Sequence, residues 1–315
     1  MASGAVPLLT AVSLDDGNML AKGVIDTIAQ ESPIMEQMPW ITIAGESYVT
    51  REEDERTAVA FRKVNATYST TYGTERKHYW GVAIVGAEVK VDTFIVNTRP
   101  NTVGTKANQY SKVAKNAARW LDKQIIDANG TSDAFKGVNT LVAEGFGQTK
   151  VVATNGSTLV AAGMDVLDEA IDTLRHGRPD AAWLNLTTRR QITKLGRNFD
   201  NGYSQIEVGN DAFGRQVMSY AGIPLRIIGQ DEGGAEILGF DETTGSSSVT
   251  ASMYFVKFGN DEFLHGLLGA GGYFNVKDFG ETEAAPVHLG RIEFYPGICM
   301  PNPYSICRVS GILAS

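Results

Sequence analysis

The chain is short of the residues that carry most protein chemistry. Its 315 residues include two cysteines and four histidines. Cys299 and Cys307 match no zinc or redox spacing and read as ordinary core or sheet residues in a reducing compartment. His78, His176, His265 and His288 form no metal-spaced pair and read as surface or packing residues. Positive charge is in deficit: 28 Lys and Arg against 36 Asp and Glu leave a net charge of −8. That balance argues against a dedicated nucleic-acid binder, whose affinity rests on neutralising phosphates, but leaves room for a local basic face. No run approaches about 18 consecutive apolar residues, so no transmembrane helix and no membrane partner are expected. The N-terminal stretch lacks a basic start and its short apolar run ends in Asp15 and Asp16, which argues against a secretory signal. The Asn-x-Ser/Thr sequences at Asn65, Asn129, Asn155 and Asn185 are then chance matches to a glycosylation pattern.

Catalytic signatures are missing as well. There is no phosphate-binding loop, and the Gly-rich stretch at 266–272 has the wrong spacing for a dinucleotide fingerprint, so it reads as a tight turn or close-packed backbone. No Gly-x-Ser-x-Gly elbow occurs. Carboxylates abound on helix faces, but nothing singles out a buried pair. No cofactor and no metal is expected, and a soluble cytosolic enzyme built from scattered residues is an alternative without positive support.

What the chain does have is core-forming material, with 43% hydrophobic and 20% charged residues. At about 100–200 residues per domain this suits two domains or one elaborated one. Its 34 glycines exceed the roughly 22 expected from average usage, which implies many sharp turns and close backbone approaches. Residues 1–16 read as an extended arm. A short helix over 16–32 places Leu20, Val24 and Ile28 on one face, with Pro33 as its stop. An isolated helix of that length is marginal, so it packs either on its own domain or on a neighbouring subunit. Residues 40–96 read as β structure with a polar excursion at 46–56, where Glu46, Glu52, Glu53, Asp54 and Glu55 stand against Arg51 and Arg56. Tyr68, Tyr72, Tyr79 and Trp80 follow, then a strand over 82–96. A long two-stranded excursion has too little core to be stable alone, and its open edges and aromatics want a partner surface.

The most legible element is a helix over 101–129. Val103, Ala107, Tyr110, Ala114, Ala117, Leu121, Ile125 and Ala128 form one apolar stripe over roughly seven turns. Lys112, Lys115, Arg119 and Lys123 line up opposite it within about 80°, flanked by Asp122 and Asp127. A basic stripe of this kind is either a solvated face or a contact surface for an anion. Gly130 ends the helix. A mixed pattern follows: a helix carrying Met164, Leu167, Ala170, Ile171 and Leu174, a buried strand over 181–186, and a helix over 188–195 capped by Thr187. Further along come strands at 218–220 and 225–228 around a turn at 222–224, and a polar loop at 241–248. Strands at 251–258, 274–279, 290–296 and 304–313 complete the pattern. The fold class is α+β without regular βαβ alternation.

In that order and spacing the chain resembles the major capsid proteins of tailed phages with the Hong Kong 97 fold. GVIDTIAQESP at 23–33 resembles the arm helix of that family. AVAFRKVN at 58–65 and IVGAEVKVD at 84–92 resemble the return from its extended loop, with Gly86-Ala87 where the family favours Gly-Gly. The helix at 101–129 is similar to its spine helix. Pro179-Asp180, TRRQITKL at 188–195 and GIP at 222–224 look like pieces of its axial domain, and RIEFYPG at 291–297 like the return through its peripheral domain. The resemblance divides the chain into an N-terminal arm (1–39), an extended β-hairpin loop (40–83) and a peripheral domain with the spine helix (84–135). An axial domain (136–272), a return through the peripheral domain (273–302) and a final axial strand (303–315) complete the division.

The implied role is structural: copies of the chain form pentamers and hexamers and close into an icosahedral virion shell, assembled in the host cytoplasm, around double-stranded DNA bound without sequence preference. A portal protein is an implied partner, and scaffolding and decoration proteins are left open. Glu52, Glu53, Asp54, Glu55 and Arg56 would meet a neighbouring subunit, choosing register by charge. Leu20, Val24 and Ile28 would anchor the arm. Lys112, Lys115, Arg119 and Lys123 would face DNA, since the spine helix of the family runs near the inner wall. The arm begins almost at Met1, from which a separate scaffolding protein, or none, is expected. Lys63, Lys77, Asn275 and Asn302 carry no mark of an isopeptide cross-link, so non-covalent assembly is expected. An encapsulin-type compartment around a protein cargo is the alternative shell.

Overall fold

The structure is a computed structural model that describes residues 31–55, 59–68, 72–98, 102–131, 133–175, 177–198, 206–210, 216–270, 275–283 and 285–314. The expected arm helix with Leu20, Val24 and Ile28 lies outside these residues, as do Arg56 and His176.

Two hydrophobic cores organise the chain. The first gathers around the long helix Thr102–Asp127, where Tyr110, Ala114, Ala118, Leu121, Ile125 and Ile126 are buried. The periodicity expected from the sequence is met by Tyr110, Ala114, Leu121, Ile125 and Ala128, whereas Ala117 is half-buried at the edge of the stripe. Apolar residues three and four apart give one continuous flank, and this flank packs on a three-stranded antiparallel sheet. The sheet runs Asn275–Thr282, Ala285–Phe294, Val85–Asp92, with the hairpin of the first two strands added to a strand from far earlier in the chain, Ile292 opposite Ala87. A second small sheet joins Trp40–Thr42, His265–Leu268 and Pro296–Cys299. In it the backbone of Gly266 lies directly under the Trp40 ring, where a Cβ would meet ring carbons at 2.3 Å, so the Gly-rich stretch is close-packed strand at this point.

The second core lies on an eight-stranded mixed sheet. Its main order is Gln148–Val151, Ile306–Leu313, Ser247–Val256, Ala181–Leu184, Ile223–Ile227, Gln216–Tyr220, Ile206–Asn210, and Glu242–Thr244 pairs off to one side. All four residues of Ala181–Leu184 are buried, as expected for a strand covered on both faces. Helix Asp165–Thr173 packs on Ile306–Leu313 and Gln148–Val151, and helix Leu186–Asn198 on Ile223–Ile227. Gln191 stitches three parts of this body together. It accepts from the Leu159 N–H (2.8 Å) and donates to the carbonyls of Leu313 (2.6 Å) and Ala314 (3.1 Å).

Several local expectations are corrected. The strand expected to reach 96 stops at Asp92, whose carboxylate accepts from the Phe94 N–H (2.8 Å) and caps a short helix, Thr93–Thr98. The helix at 186–198 is capped by Asn185, which accepts from the Thr188 N–H (2.7 Å), not by Thr187. The turn expected at 222–224 is made by Ala221 and Gly222, both at positive φ, and Pro224 is inside the next strand. The polar loop at 241–248 is a small hairpin whose Glu242 holds Arg308 (3.0 Å). Glu31 is helical and Ser32 is not, as expected for a stop ahead of Pro33, but Pro33 also begins a helix of its own, Pro33–Gln37, at the first-turn position where its missing N–H costs nothing. Asp122 does not flank the basic stripe in solvent: it is only 2% exposed.

Candidate assembly surface

The strands Ser47–Glu55 and Thr74–Gly81 form an antiparallel ribbon paired from Ser47–Gly81 at its root to Glu55–Thr74. The root is bound to the body by aromatics. Trp80 is buried, donates its indole N–H to Thr50 (2.7 Å) and meets Phe146 edge-on (5.2 Å), and His78 meets the same ring (4.9 Å). On the other strand Tyr48 donates to the Asp261 carboxylate (2.6 Å) and stands edge-on to His265 (5.9 Å). Burial and the Asp261 acceptor push the Tyr48 phenol up to about 12, so this bond is intact over the working pH range. Trp80 thus serves its own chain and not a partner surface, unlike the aromatics farther along the excursion.

Beyond the root the ribbon touches little of its own body. Arg51 pairs with Glu75 (3.4 Å) and His78 with Glu52 (2.8 Å). Glu53 is exposed and Glu52 half-buried, while Asp54 and Glu55 continue the strand. Past the strands, Val59, Phe61, Val64, Tyr68 and Tyr72 are all more than two-thirds exposed, and Phe61 is as bare as in an extended chain. Arg62 stacks over Tyr68 (5.0 Å) and donates to the Ala66 carbonyl (2.8 Å), which turns the segment on itself without covering it. Charge drew attention to 52–56 in the sequence, but the larger apolar load sits at 59–72. Its signal is a series of bulky side chains in a segment with no core of its own to enter.

The basic stripe is engaged differently from expectation. Lys115 (3.2 Å) and Arg119 (3.3 Å) both hold Glu31, and Lys123 holds Asp231 (2.7 Å). The backbone N–H groups of Gly233 and Ala235 also donate to Asp231 (2.9 Å each), and Lys123 together with these donors keeps its carboxyl below the usual range. Lys112 is exposed and has no ion-pair partner among the described residues. Beside the stripe an apolar cleft of about 470 Å³ opens between the helix and the sheet, lined by Ile84, Val113, Ala117, Trp120, Ile292 and Phe294 among others.

The remaining candidates for chemistry are quiet. Cys299 and Cys307 are free and buried, and burial pushes both thiols up, Cys307 to about 12, which leaves them poor nucleophiles. Among the described residues no group of three or more His, Cys, Asp or Glu is placed to hold a metal ion, and no helix is long and apolar enough to cross a membrane.

No protein-family profile and no curated sequence matches the chain. Solved structures do. The holo-SrpI encapsulin complex of Synechococcus elongatus PCC 7942 matches with a TM-score of 0.65 at 12% identity, over 98% of this chain and 96% of that one. The capsid of a native GTA particle gives 0.62 at 13% identity, over 91% and 90%. Microbacterium phage Oxtober96 gives 0.59 at 14% identity, over 88% and 90%. With identity this low and coverage nearly complete, what is shared is the fold: this chain has the Hong Kong 97 shell fold, as its sequence resemblance implied.

Proposed function

We propose that this chain is a shell-forming subunit, the major capsid protein of a tailed phage, that assembles from pentamers and hexamers of itself around double-stranded DNA. The observation that supports this most directly is the ribbon: firmly rooted on its own body, and bare where Phe61 and its neighbours should be covered. A surface of that kind gains its stability by lying on another copy, and each subunit both gives and receives such a contact, so a closed shell is held many times over. The acidic residues Glu52, Glu53, Asp54 and Glu55 then set register rather than affinity. Leu20, Val24 and Ile28 extend the same logic to the arm. A portal protein fits this reading as a partner.

A compartment shell around a protein cargo is the second reading, and one observation favours it. Three of the four spine-helix cations are occupied by Glu31 and Asp231, so the face offered to DNA is thinner than the sequence suggests. Native particles distinguish the two. After nuclease treatment and opening, they hold DNA of uniform genome length on the phage reading, and a single co-purifying protein in its place overturns it. A discrete monomer or dimer at every concentration overturns both. Lys112 carries the remaining DNA-facing role, so Lys112→Gln leaves assembly unchanged and lowers the salt concentration at which DNA leaves opened particles. An unchanged release profile makes Lys112 a solvated residue and no more.

A further inference from the structure

The segment that enters the described body at Glu31 is fixed to the spine helix at two adjacent points. One is solvent-facing: Glu31 between Lys115 and Arg119. The other is sealed. Ser32 caps the helix Pro33–Gln37 by accepting from the Met35 N–H (3.1 Å), and the same hydroxyl donates to the Asp122 carboxyl. Ser32, Ile34, Met35 and Met38 are fully buried, so the joint sits under an apolar cover. Taking an isolated carboxylate out of water is costly unless a counter-charge accompanies it. Among the described residues none does: Lys115 and Arg119 are turned to Glu31, Lys123 is turned to Asp231, Arg226 faces Gln37 at the far end of the short helix, and Glu36 on that helix is an acid. Burial is the larger influence and outweighs the Ser32 hydroxyl, which among the described residues is the group that favours the ionised form, so the Asp122 carboxyl is held up at about 8.

We infer that the Asp122–Ser32 joint is a proton-operated latch at the root of the N-terminal segment, shut while the carboxyl is neutral and releasing residues 31–38 from the spine helix when it ionises. The geometry makes the coupling direct. Removing Ser32 from Asp122 also removes the cap of Pro33–Gln37, so solvating the carboxylate and unwinding the short helix are one event. The sign follows from linkage. A carboxyl raised in the docked state stabilises docking fully below the ordinary carboxylate range and progressively less as pH rises to about 8, beyond which nothing more is lost.

Hydrogen exchange followed by mass spectrometry on the full-length protein tests this, read on the peptide spanning 33–38. Asp122→Asn keeps a polar partner for Ser32 and cannot ionise. Relative to D122N, wild-type protection is expected to fall about 100-fold between pH 6 and pH 8 and to level off above, tenfold per pH unit for one proton. Ser32→Ala is expected to lower protection at every pH while keeping the wild-type slope. Parallel pH profiles for wild type and D122N overturn the latch. So does unchanged protection in S32A, which keeps the test decisive if D122N folds poorly. The measurement reads the subunit's own segment, so its outcome is independent of what the shell encloses.

Discussion

Replacing both Phe61 and Tyr72 with serine is expected, on the proposed shell-forming role, to leave a folded subunit that no longer forms shells. Neither side chain packs into the body, so the double variant should keep the wild-type circular dichroism spectrum and thermal midpoint. Covering a side chain of this size contributes about 2 kcal/mol. Losing two therefore weakens each ribbon contact by about 4 kcal/mol, roughly a thousandfold. The loss recurs at every contact of a repeating shell, so assembly should fail altogether instead of slowing. Sedimentation and negative-stain microscopy check it. Normal shells in normal yield would mean that the exposed tip is decoration and that the holding contacts lie elsewhere.

Gly290→Ala should be among the most damaging single changes within the body. A Cβ on Gly290 would fall 1.7 Å from the Tyr110 hydroxyl oxygen and 2.5 Å from the ring carbon that bears it. Tyr110 is buried on the spine helix, and Gly290 pairs with Val89 and Asp278 in the middle of the three-stranded sheet, so neither partner is free to retreat. Overpacking at such a site costs about 3 kcal/mol, or a drop of about 4–5 °C in thermal midpoint for a chain of this size. Tyr110→Leu in the same chain removes the obstructing ring and should recover most of the loss. A G290A variant as stable as wild type, or no recovery in the double variant, would show that the helix and sheet are not in register through this contact.

Much of this architecture was legible in the chain itself, and the reasons are physical. The spine helix was readable because Tyr110, Ala114, Leu121 and Ile125 repeat at a helical period for many turns, and its end because Gly130 takes a positive φ. The ribbon was readable because it lacked a core. Errors fell where a short-range competitor decided the outcome. Asp92 capped a helix inside what looked like continuous strand, and Asn185 took the cap that Thr187 was suited to. The candidate site was read less well. The cations of the stripe form the expected row, but their partners, Glu31 and Asp231, come from distant parts of the sequence and no local pattern announces them. Asp122 shows the same limit. By helical phase it belongs beside the cations, and only the arrival of Ser32 and its apolar neighbours seals it.

The strand Ile306–Leu313 lies inside the eight-stranded sheet, between Gln148–Val151 and Ser247–Val256, although it is the last of the described strands to be synthesised. While it is still within the ribosomal tunnel, Ser247–Val256 lacks its neighbour and Gln191 has no carbonyl of Leu313 to hold. The sheet therefore closes only after translation has passed this point.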